Sequence, residues 1–107
     1  MLTELEEENQ KLKQEVKELR RRSLQNKIQL LQNQITQLEA SVTQNQQALN
    51  IANELLSDGV EVDTRDYSEA IATSNRLINS CQTKITNLEN QLNQLTELTA
   101  AIQSNQN

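Results

Sequence analysis

The chain has 107 residues, 35% hydrophobic and 23% charged, with no Pro, Trp, Phe or His and one each of Gly, Cys and Tyr. That length holds one domain at most, with a core drawn from Leu, Ile, Val and Ala, and so little Gly and Pro cannot punctuate a set of strands. Lacking His, a second Cys and a Gly-rich loop, and carrying a net charge of -5, it is expected to be no enzyme, to need no metal or cofactor, and to bind neither nucleic acid nor membrane.

What remains is long helix. Nothing in the opening residues Met1 to Glu8 resembles a signal peptide, and no run approaches the roughly 18 apolar residues of a membrane span. Cys81 alone shows no dependence on an oxidising compartment. The expectation is a soluble, cytoplasmic protein, with signal-peptide-independent export left open.

Residues 1–22 and 23–107 are written in different alphabets. In the first stretch six acids (Glu4, Glu6, Glu7, Glu8, Glu15, Glu18) balance six bases (Lys11, Lys13, Lys17, Arg20, Arg21, Arg22). The second is mostly Gln, Asn, Thr, Ser, Leu and Ile, and holds the whole charge deficit. A boundary is read near Ser23.

In the first stretch Leu5, Asn9, Leu12, Val16 and Leu19 recur at alternating steps of 4 and 3, the d, a, d, a, d positions of a heptad. Asn at an a position costs stability but pairs with its own copy across a parallel two-stranded axis, so Asn9 favours a parallel dimer. The acids crowd the first turns and Arg20 to Arg22 the last, which complements the helix dipole. This run resembles the leucine zipper of the bZIP transcription factors. The resemblance covers about a fifth of the chain and implies dimerisation. It implies no reading of DNA, because the basic region that precedes the zipper in that family is missing before Leu5. The abrupt change at Ser23 is also what a grafted or designed clamp produces.

From Leu24 the heptad resumes in a new register through Leu24, Ile28, Leu31, Ile35, Leu38, Val42, Asn45, Leu49, Ala52 and Leu56. The step from Leu19 to Leu24 is five residues, so one straight seam cannot run through both stretches. Either local overwinding or a change in what the helix packs against must absorb it. A second arm carries Tyr67, Ile71, Ser74, Ile78, Cys81, Ile85, Leu88, Leu92, Leu95, Thr99 and Ile102.

Between the arms, Gly59 suits the left-handed position that ends a helix, Val60 can fold back on the last turn, and Asp63 or Thr64 offers a cap before Arg65. The predicted architecture is therefore all-α. An N-terminal parallel zipper (1–22) is followed by an antiparallel hairpin (23–107; arm 24–57, loop 58–64, arm 65–104) that dimerises as a four-helix bundle. Pairing residues whose numbers sum to 123 matches Leu56 with Tyr67, Ala52 with Ile71, Leu49 with Ser74, Asn45 with Ile78 and Val42 with Cys81, and continues to Leu24 with Thr99. The thin or polar layers at Asn45, Ser74 and Cys81 are expected to fix register and to form a weak spot. The competing architecture is one extended rod broken at Gly59.

The apolar stripe exceeds the a and d positions, with Ala48 and Leu55 on the first arm, Ala70, Leu77 and Leu98 on the second, and Leu30 and Ile51 beyond. Stripes that wide suit a bundle of four helices. The expected partner is a second copy. The alternative is a different helical protein, with the hairpin acting as an adaptor, chaperone or secretion partner. Cys81 reads as a small buried residue. The loop acids Asp58, Glu61, Asp63 and Asp66 read as caps and solvated charge, since they do not follow EF-hand spacing.

Overall fold

The computed structural model describes residues 3–105, with side chains described for 3–96. Leu2 and the side chains of Leu98, Thr99 and Ile102, which the heptads place on seams or flanks, lie outside the described residues. The fold is all-α and has two helices, α1 (Glu4–Ser57) and α2 (Arg65–Asn105).

Local chemistry sets both ends of α1. Thr3 caps it: the Glu6 amide donates to Thr3 Oγ1 at 3.2 Å and the Glu7 amide to the Thr3 carbonyl at 3.1 Å. Glu4, Glu6 and Glu7 fill the first turn, where carboxylates meet the positive end of the helix dipole. No Gly or Pro interrupts the 54 residues that follow, and α1 passes through Ser23 without a break.

The stop is a Schellman turn. Gly59 takes φ 86°, its amide donates to the Leu56 carbonyl at 3.1 Å, and the Val60 amide donates to the Leu55 carbonyl at 2.9 Å. A Cβ at Gly59 meets nothing within 4 Å, so the need for glycine is conformational and not steric. Gly59→Ala is expected to cost about 1–2 kcal/mol through the left-handed backbone alone, and Gly59→Asn less, because Asn tolerates that region. Thermal melts of the two variants check the order.

A side chain and the backbone together start α2. Asp63 Oδ1 accepts from the Arg65 amide at 3.0 Å, and the Arg65 guanidinium reaches back to Asp63 Oδ2 at 3.1 Å. The Thr64 carbonyl accepts the Ser68 amide at 3.2 Å. The chain needs only residues 58–64 to stop one helix and start the next.

The chain divides into two compact units, one of Met1–Leu30 with Ile85–Asn107 and one of Leu31–Lys84. The second is a helical hairpin, so the extended rod is ruled out. Along its seam Val42, Leu49, Tyr67, Ile71 and Ile78 are half-buried, and the small residues Ala52, Ser74 and Cys81 are buried. Short side chains are covered most completely between two helices, and those three positions are the ones buried here. Leu56, expected to cap the seam opposite Tyr67, is instead exposed. It sits in the last turn of α1, next to the Schellman reversal at Gly59.

Asn45 also behaves differently from expectation. Its Nδ2 donates to the Ser41 carbonyl at 2.8 Å and approaches Ser41 Oγ at 3.3 Å, one turn back on its own helix. The amide is satisfied within α1, so it does not select a partner across the seam. The same habit recurs outside the seam: Thr36, Thr43, Ser57, Thr83 and Thr96 donate to carbonyls four residues earlier. Back-bonding of this kind satisfies the hydroxyls within their own helix.

In the first unit Leu24 and Ile28 of α1, and Ile85, Leu88, Leu92 and Leu95 of α2, are half-buried. Arg20, Ser23, Leu24 and Lys27 line one wall of a shallow groove of about 440 Å³, and Gln91, Gln94 and Leu95 the other. These shared walls place α2 against the face of α1 that carries Leu24.

Candidate interaction surfaces

Among the described residues, two faces carry apolar side chains that stay exposed. The first is the opening of α1, where Leu5 is 68% exposed, Leu12 56%, Val16 51% and Leu19 63%. Asn9 is exposed on the same line. Immediately after it, Leu24 and Ile28 are half-buried. The five-residue step thus marks a change in what α1 packs against. At about 100° per residue, five residues turn the apolar line by roughly 140° beyond a full turn.

Charge beside this face has a definite pattern. In the heptad that places Asn9 and Val16 at a, Glu8 and Glu15 fall at g, and Lys13 and Arg20 at e. In a parallel pair of identical helices, g meets the e position of the next heptad on the partner. Glu8 then faces Lys13 of the other copy, and Glu15 faces Arg20. An antiparallel pair brings g to g and e to e, acid against acid and base against base. The heptad reading taken from the apolar residues alone passed over this complementarity, although the sequence carries it.

Farther along, Glu18 gathers two arginines. Arg21 Nε donates to Glu18 Oε2 at 2.9 Å and Arg21 Nη2 to Glu18 Oε1, while Arg22 Nε lies 3.2 Å from Glu18 Oε1. Arg21 Nη1 also reaches Gln25 Oε1 at 3.1 Å. Hydrogen bonding to the Arg21 guanidinium, with its charge and that of Arg22, holds the Glu18 carboxyl at about 2. Because the folded value lies below the ordinary one, whatever this cluster contributes is present above about pH 4.5 and fades as pH falls toward 2. The cluster is open to solvent, and the effect on stability is small. A carboxyl-carbon NMR titration is expected to find Glu18 ionised well below the ordinary carboxylate range, and Arg21→Gln is expected to return it toward that range.

The second face lies on the hairpin of Leu31–Lys84. One flank of its seam bears Ala48 and Leu55 from α1 with Ala70 and Leu77 from α2, and Ile51 adjoins it. Leu55, Ile51 and Leu77 are exposed, whereas the alanines are half-buried. The opposite flank reads Gln46, Asn53, Ser68 and Asn75. Only one side of the hairpin is therefore apolar.

The residues assigned to association on sequence divide accordingly. Leu24, Ile28, Leu31, Ile35, Leu38, Val42, Leu49, Ile71, Ile78, Cys81, Ile85, Leu88, Leu92 and Leu95 are buried or half-buried by the chain itself, whereas Leu5, Asn9, Leu12, Val16, Leu19 and Leu77 face outward. Cys81 is a buried free thiol. Among the described residues no three His, Cys, Asp or Glu side chains gather as a metal site, and no helix is long and apolar enough to cross a membrane.

What the fold defines is a small all-α, two-helix protein with apolar surface to spare. Comparison with known protein families, curated proteins and solved structures finds no match to the chain.

Proposed function

We propose that the chain is a non-enzymatic self-association module: a parallel coiled-coil homodimer through residues 2–22 that displays a helical hairpin. The observation that carries this reading is the exposed Leu5, Leu12, Val16, Leu19 line, flanked by g and e charges that attract only when a second copy lies parallel and in register. Asn9 at a supports two strands over three or four. The apolar flank of Ala48, Ile51, Leu55, Ala70 and Leu77 supports a second contact in which the two hairpins pack as four helices.

The alternative partner is a different helical protein on that flank, since no charge there selects a copy of this chain. Light scattering during size-exclusion chromatography tests both readings. A mass of about 24 kDa, twice 12.2 kDa, is expected at micromolar concentration. A well-folded 12.2 kDa species would overturn self-association and leave the adaptor reading.

A further inference from the structure

Leu30 is 68% exposed, as much as Leu5, and the hairpin does not use it. It follows Leu12 by 18 residues, about five whole turns, so the two side chains leave α1 in nearly the same direction. In the zipper's heptad, continued without a break, the positions after Leu19 are Ser23 (a), Asn26 (d) and Leu30 (a). All three are exposed, and none is charged.

On this basis we propose that the α1–α1′ seam does not end at residue 22, where the composition changes, but runs on through a polar layer at Ser23 and Asn26 to a closing apolar layer at Leu30. The occupant is a second copy of this chain. The inference rests on the parallel dimer proposed above and extends it into the part of α1 that also carries α2.

Geometry allows both neighbours at once. Within the unit of Met1–Leu30 and Ile85–Asn107, α2 takes the Leu24 and Ile28 face, and the zipper line lies roughly 140° around the helix. Two helices at equal spacing of about 10 Å fit around a third once their directions differ by more than ~60°. The order across this part of the dimer is then α2, α1, α1′, α2′, with the two first helices inside.

An opposing force comes from Arg22 at g, which meets Lys27 at e of the partner in this register. Glu18 offsets it by holding Arg22 Nε at 3.2 Å on its own helix. Salt therefore acts in opposite senses on the two parts of the seam: it screens the attraction of Glu8 for Lys13 and of Glu15 for Arg20, and it relieves the junction.

Disulfide trapping of the full chain tests the extension. In a Cys81→Ala background, Leu19→Cys, Leu30→Cys and Gln25→Cys are oxidised separately, and circular dichroism verifies that each is helical. Gln25 points away from the proposed axis. Leu30→Cys is expected to form covalent dimers within about threefold of the Leu19→Cys rate and at least ~tenfold faster than Gln25→Cys, because only juxtaposed Cβ atoms meet disulfide geometry. Its rate relative to Leu19→Cys is expected to rise between 0.05 and 0.5 M salt, roughly as the screening length shrinks. Leu30→Gln is expected to weaken the dimer about tenfold with helicity unchanged. Trapping at Leu19 with Leu30 as slow as Gln25 would overturn the extension and leave the zipper dimer standing. Trapping at neither site would overturn the dimer itself.

Discussion

Replacing Leu12 and Val16 together with aspartate is expected to take the chain from about 24 kDa to its 12.2 kDa monomer in light scattering, with most helical signal retained. In the proposed dimer those positions form adjacent layers, so the double variant would place four carboxylates in two consecutive slices of a dry seam. Leaving charges buried and unpaired there costs several kcal/mol, about 3–5 for each broken site, more than a seam this short can supply. In the single chain the same side chains are more than half exposed, and surface changes of that kind shift monomer stability within about 0.5 kcal/mol. Mass should fall while the hairpin's melting temperature, measured at low concentration, holds. Asn9→Ile acts in the opposite sense: it removes the polar layer, strengthens association and releases the preference for two strands, so masses above the dimer are expected. A double aspartate variant that stays dimeric would show that the contact lies elsewhere, with the hairpin flank as the next surface to test.

The second large effect is expected inside the hairpin. Ala52 is 3% exposed, so its methyl group is covered by the chain itself. Ala52→Asp adds volume and a charge where no partner is available, and is expected to cost about 3–5 kcal/mol, comparable to the whole stability of a small domain. Urea titration followed by circular dichroism would register it as loss of the cooperative transition. Ser74, buried one layer away, gives the contrasting result. Ser74→Ala removes a hydroxyl from an apolar layer and installs the best helix former, a gain of about 0.5–1 kcal/mol. If both variants melt like the parent, the hairpin seam is not what holds Leu31–Lys84 together.

Much of the architecture was readable because its causes are local. Gly59 ends α1 through bonds that span at most five residues, and Asp63 starts α2 through a bond to Arg65; composition and spacing over such short windows suffice to foresee them. Every residue of the 3,4 lines between 24 and 56 and between 67 and 95 lies half-buried or buried, Leu56 apart. Asn45 was harder. A polar residue on a seam is equally compatible with bonding across to the partner helix and back to its own, and only the positions of Ser41 Oγ and the Ser41 carbonyl decide for the latter. Leu30 stands 18 residues from both Leu12 and Ala48, so its phase fits the zipper line and the hairpin's wide stripe alike, and spacing by itself does not choose between them.

By itself the sequence determined that this protein is two helices, where they start and stop, and which lines along them are apolar, since each follows from the intrinsic preferences of residues within a turn or two of one another. Only the tertiary structure decided which apolar line the chain covers for itself. The lines of Leu5 to Leu19 and of Leu24 to Ala52 look alike as letters, but α2 settles on the face that carries Leu24. A line of leucines is the same pattern whether it meets its own chain or water, and that difference depends on the placement of the other helix.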